Sequence, residues 1–422
     1  MAGATVAKAA GIAAKSTSGL ADTSGRRSLR TAVLELTLGV VLLVLPVAGS
    51  SIGRGEIGSP VGTETAVKGG VLLGAMAIAA LFGSGRWPRS RAWLILVTLA
   101  GLLVVTSPFA VSPEISVLDA ALLLGATVAV GVLAADVGAM RSLRALALSS
   151  AVLVVAGVAV ERWFERSTQN VLGIDGLFGF ERVSGVFTDP NTMGQTAAVG
   201  ALSSVLLVLL FRKFDIGALA GAVCIVGLAA SQSRTAALGL AAGLVIAVVR
   251  VPRSQVLAGI GLVVLAALVL TLPGAESFGV ESLTRSGDPN EVATFTGRTR
   301  VWSAVLEAIP DRPVVGHGAG SSPEVLSELI RDGRVTWPAL HSHNAVLQVL
   351  LTGGFAALFL LLASFGAWFA KRRAQRQLGA LVWLVIVGTI TEVLVMRTPS
   401  TYWMVLAAVF AISSDKASPE RP

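Results

Sequence analysis

Residues 294–354 read TFTGRTRVWSAVLEAIPDRPVVGHGAGSSPEVLSELIRDGRVTWPALHSHNAVLQVLLTGG, and the rest of the chain is organised around this stretch. It contains all three histidines of the protein, His317, His341 and His343. Most of it belongs to the long polar stretch 274–340, which lies between the apolar segments 255–273 and 342–370. This contrast predicts a long loop between membrane-spanning helices, with the next helix beginning near the His-Ser-His-Asn sequence at residues 341–344.

The composition is that of a membrane protein. Of 422 residues, 54% are hydrophobic and 14% are charged, whereas a soluble domain carries about 25% charged residues. The mean hydropathy is +0.78. A net charge of +8 could indicate nucleic acid binding in a soluble protein. In a membrane protein the positions of the basic residues matter more than their sum, because they set the orientation.

Apolar segments recur along the chain, and a membrane-spanning helix needs about 20 such residues. The sequence therefore predicts an all-α polytopic membrane protein with about 12 transmembrane helices and one long extracytoplasmic loop that contains short helices. The predicted segments are residues 29–49, 69–83, 92–110, 117–135, 143–160, 192–211, 216–231, 234–250, 255–273, 342–370, 378–395 and 400–414.

Basic residues lie in alternate connections between these segments, for example in residues 86–91, 141–144 and 371–376. By the positive-inside rule these connections and both termini face the cytoplasm, and the other connections face outward. The predicted organisation is a disordered cytoplasmic tail (1–28), nine segments (29–273, with an outer loop at about 161–191), a long extracytoplasmic loop (274–340), three segments (341–414) and a cytoplasmic tail (415–422).

The outer loops from residue 161 onward contain arginines but no lysine, which suits phosphate oxygens; a general scarcity of lysine explains this equally well. Arg298 is more specific. Thr296 can cap a helix over about residues 298–309, on which Arg298 shares an apolar stripe with Trp302 while Arg300 lies on the polar face. The free N–H groups of the first turn also favour an anion. Alternatively, Arg298 reaches water or pairs with a carboxylate.

A glycine-rich turn follows at residues 316–320, Gly-His-Gly-Ala-Gly. Its backbone N–H groups could face a phosphate, although glycines are also typical of an ordinary turn between short helices. Ser321 or Ser322 then begins a second short helix. Its apolar face is expected to pack on the membrane surface or on the first loop helix.

The histidines raise the question of a metal site. If His341 and His343 lie on a helix, their side chains point about 200° apart and do not chelate one ion easily. A single working histidine fits better. His343 is expected near the outer N-terminus of the tenth segment, where the helix dipole keeps its ring neutral and able to accept a proton. A purely structural cap is the alternative for His343, and Asp189 is an alternative base.

Five motifs occur in order, and together they resemble the O-antigen ligase and O-antigen polymerase superfamily of bacterial membrane glycosyltransferases. They are RVSGVFTDPN (182–191), SQSR (231–234), TGRTRVW (296–302), DRPVVGHGAG (311–320) and HSHN (341–344) followed by Gly354. The resemblance implies a glycosyltransferase C-like fold in the bacterial cytoplasmic membrane. It also implies metal-independent, inverting transfer, without a cofactor, from a glycan on undecaprenyl pyrophosphate to a glycan or lipid-glycan acceptor.

By match to these motifs, the expected catalytic residues are Arg234 and Arg298, which hold the pyrophosphate, and His343, which activates the acceptor hydroxyl. The residues expected to bind substrate are Arg182, Asp189, Asn191, Arg300, Trp302, His317, His341 and Asn344. The motifs do not distinguish a polymerase from a ligase.

Two other functions fit the same composition. A transporter or flippase of a lipid-linked or anionic solute could use many spans and outer arginines, but it would need polar groups near mid-membrane, and several segments offer few. A third possibility is a membrane sensor or assembly protein that binds cell-wall glycan without catalysis.

Overall fold

The computed structural model describes residues 28–47, 63–85, 87–163, 183–187, 189–249, 298–333, 341–370, 378–390 and 399–412. The predicted segment 255–273, both tails and parts of both long outer loops lie outside these residues. In the described parts the regular elements are helical, as the composition predicts. The helices are α1 (28–44), α2 (Thr63–Phe82), α3 (Arg91–Thr106), α4 (Pro113–Trp163), α5 (Pro190–Phe211), α6 (Ile216–Ser231), α7 (Arg234–Val249), α8 (Arg298–Ala308), α9 (Ser322–Arg331), α10 (Ala345–Ala370), α11 (Gly379–Gly388) and α12 (Thr401–Ile412).

Among the described helices, α2, α3, α4, α5 and α10 are long and apolar enough to cross a membrane. Helices α6, α7, α11 and α12 are apolar but shorter. Helix α4 has 51 residues and covers two predicted segments. Its backbone leaves the helical conformation at Gly138 (φ 81°, ψ 174°), and this kink divides it into two halves. Arg141 and Arg144, expected in a connection, therefore lie on its second half. The count of twelve spans stays a prediction.

Small residues allow close packing between α7 and α11. Gly239 and Gly243 are four residues apart and lie on one face of α7. A Cβ atom at Gly239 would stand 2.9 Å from the carbonyl oxygen of Leu384, and one at Gly243 would stand 3.0 Å from that of Ala380. The order of these contacts makes the two helices antiparallel. Such close backbone approach favours association where water supplies no hydrophobic driving force.

An ion cluster ties α1 and α6 to the second half of α4. Glu35 accepts from Arg141 (3.0 Å) and from Arg144 (2.5 Å), and Arg144 also lies 3.5 Å from Asp215 at the start of α6. Charges on membrane helices are costly unless they are paired, so this cluster fixes how the three helices meet. This cluster lies where α5 ends and α6 starts, at the opposite end of α5 from Asp189.

Helix α10 is interrupted at Gly354, where φ is 64° and ψ is −166°. The glycine turn (residues 313–320) packs into this break. The N–H of His317 donates to the carbonyl of Leu351 (2.7 Å), and the N–H of Gly318 donates to that of Thr352 (2.9 Å). The turn thus satisfies carbonyl groups that the interruption leaves without helical partners.

The other side of the break is paired as well. The N–H groups of Phe355 and Ala356 donate to the carbonyls of Pro313 (2.8 Å) and Val314 (3.2 Å). A Cβ atom at Gly354 would overlap the carbonyl group of Val314. The glycine turn and α10 therefore form one interlocked unit within the bundle.

Candidate functional site

Helices α8 and α9 form a small apolar layer over the first half of α10. Val301 and Val305 of α8 are buried against Leu326 and Leu329 of α9 and against Leu351 of α10. The apolar face of α9, expected to pack on the membrane surface or on the first loop helix, lies in one buried cluster with α8 and α10. This layer holds the start of α8 beside the start of α10.

The predicted faces of α8 are correct with one shift. Arg300 is exposed, as expected, and Val305 is buried. Arg298 and Trp302 are only half-buried, at the edge of the apolar layer, whereas Val301 lies at its centre. Arg298 is the first residue of α8, so it lies in the first turn of the helix, where the backbone N–H groups have no partners within the helix.

The histidine turn (residues 341–344) precedes α10, and its geometry differs from the expectation of a helix. His343 has φ 50°, in the left-handed region. This conformation lets its N–H donate to Nδ1 of His341 (3.3 Å) and brings the ring centroids to 3.9 Å, with the planes tilted by 51°. The two rings therefore share one side of the turn instead of pointing about 200° apart.

Asn344 caps α10 and connects it to the end of α11. Its Oδ1 accepts from the N–H of Leu347 (3.0 Å), and its Nδ2 donates to the carbonyl of Ile390 (2.8 Å). The N–H of Ala345 donates to the carbonyl of Thr389 (3.1 Å). These bonds place the histidine turn at a fixed end of the bundle.

The middle residue of the histidine turn, Ser342, is held by two other elements. The indole Nε1 of Trp302 donates to the carbonyl of Ser342 (2.9 Å). The N–H of Ser342 donates to Oε1 of Gln348 (3.1 Å), a buried residue one turn into α10. Helices α8 and α10 therefore both fix this turn.

His341 lies in the electrostatic field of both Asp189 and Arg298. Burial lowers the pKa of His341 to about 4; the carboxylate of Asp189 acts to raise it, and the guanidinium of Arg298 acts to lower it further. The ring is therefore neutral at neutral pH. Because Nδ1 accepts from the His343 N–H, we assign the ring proton to Nε2.

Asp189 caps α5, so its carboxylate is already engaged. One oxygen accepts from the N–H groups of Asn191 (2.8 Å) and Thr192 (3.1 Å), and the other accepts from the hydroxyl of Thr192 (2.6 Å). Asp-Pro-Asn is a sequence typical of a helix start. The cap also fixes the carboxylate where its charge reaches His341.

The SQSR connection packs against the first turns of α5. A Cβ atom at Gly194 would overlap Ser233, and the N–H of Val183 donates to the carbonyl of Ala230 (3.1 Å). Arg234 follows as the exposed first residue of α7. The starts of α5 and α7 therefore lie side by side. Because the charge of Asp189, at the start of α5, acts on His341, the histidine turn lies close to them.

The model of the O-antigen ligase family matches residues 219–362. This stretch, about a third of the chain, is similar to the O-antigen ligase family. The resemblance found in the motifs is confirmed, and the match includes Arg234, Arg298 and His343. Asp189 precedes it. No curated protein matches the chain.

The similarity indicates a glycosyl-transferring role at the membrane in polysaccharide assembly. Lipid-linked glycan and an acceptor are its partners in general terms. The apolar helices and the family together indicate a protein of the bacterial inner membrane.

His317, one of the residues expected to bind substrate, lies in the glycine turn. His317 is buried, and its Nε2 pairs with the carbonyl of Ala308 (3.1 Å). The N–H groups of His317 and Gly318 donate to α10, so they are not directed at a phosphate as the glycines had suggested. A substrate contact of His317 stays a prediction, as does that of Arg182, which lies outside the described residues.

Two residues that hold the histidine turn, Ser342 and Gln348, were not predicted from the sequence. The signal for Gln348 was present: it is the one amide side chain between residues 345 and 370, in an otherwise apolar stretch. A polar group on a membrane helix needs a partner. Its partner could not be inferred, because the turn that supplies it depends on His343 being left-handed. Among the described residues, no group of His, Cys, Asp or Glu is placed to hold a metal ion.

Proposed function

We propose that the protein transfers or polymerises a glycan from an undecaprenyl-pyrophosphate donor at the extracytoplasmic face of the membrane, by a metal-independent, inverting reaction. The observation that carries this proposal is the convergence of Asp189, Arg298 and His341, with the His343 ring packed on His341. These residues come from three separated motifs, and together they offer a guanidinium group and an imidazole base.

The cationic groups suit the donor. Arg234 and Arg298 are the first residues of α7 and α8, where free N–H groups and the helix dipole also favour an anion. A guanidinium fork binds phosphate oxygens in a directed way. The departing pyrophosphate carries its own negative charge, so two arginines can stabilise its departure without a metal ion.

His343 is the best candidate to accept the proton of the acceptor hydroxyl. The low pKa of His341 makes that ring a weak base, and general bases work best with a pKa near the ambient pH. Asp189 is less suited because its oxygens already accept three hydrogen bonds. The same bonds disfavour Asp189 as a nucleophile, and direct attack by the acceptor inverts the anomeric centre.

The face of the membrane follows from the alternation of basic connections. The starts of α5, α7 and α10 and the end of α11 meet at one end of the bundle, and the basic residues after α5 lie at the other. By the positive-inside rule the site then faces outward. Nucleotide sugars are not supplied there, which favours a lipid-linked donor.

The test uses purified protein in lipid discs with undecaprenyl-pyrophosphate oligosaccharide from the same organism, beside a His343→Ala variant. We expect free undecaprenyl pyrophosphate together with changed glycan. Longer lipid-linked chains identify a polymerase, and glycan on a different acceptor identifies a ligase. If a competent acceptor is present and no undecaprenyl pyrophosphate is released, the proposal is wrong and a transporter or flippase is favoured.

A further inference from the structure

Gln348 is an amide side chain buried in the apolar first half of α10, with 2% of its surface exposed. Neither the motifs nor the proposed chemistry gives it a role. A buried amide on a membrane helix is costly unless both its oxygen and its nitrogen find partners. Its partners therefore show what it does.

Both ends of the Gln348 amide bond to other parts of the site. Oε1 accepts from the N–H of Ser342 (3.1 Å), and Nε2 donates to the hydroxyl of Ser322 at the start of α9. Gln348 thus bridges the histidine turn and α9. The Ser342 hydroxyl closes the turn by donating to the carbonyl of Asn344 (2.8 Å).

The hydrogen bonds made by the Ser342 backbone act on the peptide groups beside both histidines. The Ser342 N–H belongs to the peptide group that follows His341, and its carbonyl, held by Trp302, belongs to the peptide group that precedes His343. Fixing these two groups fixes the directions of both side chains. His343 needs this support, because a left-handed conformation is unfavourable for a residue with a side chain.

We propose that Gln348 is a positioning residue, which holds the histidine turn in the conformation that packs the two rings together and connects that turn to α9 through Ser322. The expected kinetic effect rests on the proposed function. The effect on the histidines does not, since it follows from the hydrogen bonds alone.

The substrate-free test is a pH titration of ring signals in protein labelled only at histidine, in lipid discs. The chain has three histidines, and single substitutions assign them. Gln348→Met keeps the side-chain shape but removes both hydrogen bonds. We expect the His341 pKa to rise by about one unit or more toward the 6.5 of an exposed imidazole as the turn loosens.

Two further variants make the result decisive. Ser322→Ala leaves the Ser342 bond to Gln348 intact, so the His341 pKa should shift in the same direction by a smaller amount. Ser364→Ala removes a buried hydroxyl of α10 that donates to the carbonyl of Leu361 in its own helix, and His341 should titrate as in the wild type. Unchanged His341 titration in both Gln348→Met and Ser322→Ala would overturn the proposal; if Gln348→Met does not fold, Ser322→Ala alone decides.

The activity readout separates positioning from substrate binding. With undecaprenyl-pyrophosphate oligosaccharide as the probe, Gln348→Met should lower kcat on the order of 100-fold, as expected for a misplaced base, with KM nearly unchanged. A rise in KM alone would contradict a positioning role. If the wild-type protein itself releases no undecaprenyl pyrophosphate, the proposed function fails, while the His341 titration still decides the role of Gln348.

Discussion

The imidazole rings of His341 and His343 lie with their centroids 3.9 Å apart, because the left-handed backbone at His343 turns both side chains to one side. The two residues then have different tasks. His341 accepts the His343 N–H at Nδ1 and lies between the charges of Asp189 and Arg298. His343 completes the pair beside them, and this division can be tested residue by residue.

We expect His343→Ala to lower transfer by a factor of about 10² to 10⁴, the range for loss of a general base. His341→Ala should lower it less, since His341 supports the base and is itself weakly basic. Both variants should keep the folded protein. The measurement is release of undecaprenyl pyrophosphate in lipid discs, with Ser364→Ala as the control. A fully active His343→Ala variant would exclude His343 as the base.

Arg298 should depend on the shape of its side chain as well as its charge. Arg298→Ala is expected to abolish transfer, because Arg298 is the arginine of the first turn of α8 whose charge reaches His341, whereas Arg300 is exposed on the polar face of the helix. Arg298→Lys keeps the charge but loses the planar fork, so we expect intermediate activity. Donor binding and turnover are measured in parallel. Equal activity of the lysine and alanine variants would show that charge at this position is irrelevant.

Two substitutions of Asp189 separate its role as the N-cap of α5 from the role of its carboxylate charge. Asp189→Asn keeps a good N-cap for α5 but removes the carboxylate, whereas Asp189→Ala removes both and should cost about 1 kcal/mol of stability. If His343 is the base, Asp189→Asn should retain most of its turnover. A loss as large as that of His343→Ala would instead make Asp189 the base. Thermal unfolding of both variants checks the loss of the cap.

His341 should make stability depend on pH. Its folded pKa of about 4 lies below the ordinary 6.5, so the unfolded chain binds its proton first as the pH falls. The stability contribution is complete above pH 6.5 and is lost as the pH falls through 4. One group adds at most about 1.4 kcal/mol per pH unit, and its partial exposure reduces this. His341→Asn should make the melting temperature depend less on pH between pH 7 and 5. An unchanged pH dependence would contradict the lowered pKa of His341.

The sequence predicts most of the elements but not how they interlock. Hydrophobic periodicity finds the helices, and Asp189 and Arg298 are recognised because helix starts have local signatures. The break at Gly354 is not predictable in the same way, since a glycine inside an apolar run breaks a helix only if another segment pairs with the freed groups. The conformation of His343 likewise depends on partners distant in sequence, such as Trp302. Side-chain directions in turns are therefore decided by tertiary contacts.

The interlocked break in α10 gives the last prediction. Gly354 has a left-handed φ, and a Cβ atom there would overlap the carbonyl of Val314. Gly354→Ala must therefore strain the backbone or expel the glycine turn, and we expect a loss of at least about 1–3 kcal/mol of stability. Gly366→Ala is the matched control, because it lies on the same helix with open space around its Cβ position, and alanine should be neutral or stabilising there. Thermal unfolding in lipid discs compares the two; equal melting temperatures would show that the glycine turn does not depend on the break.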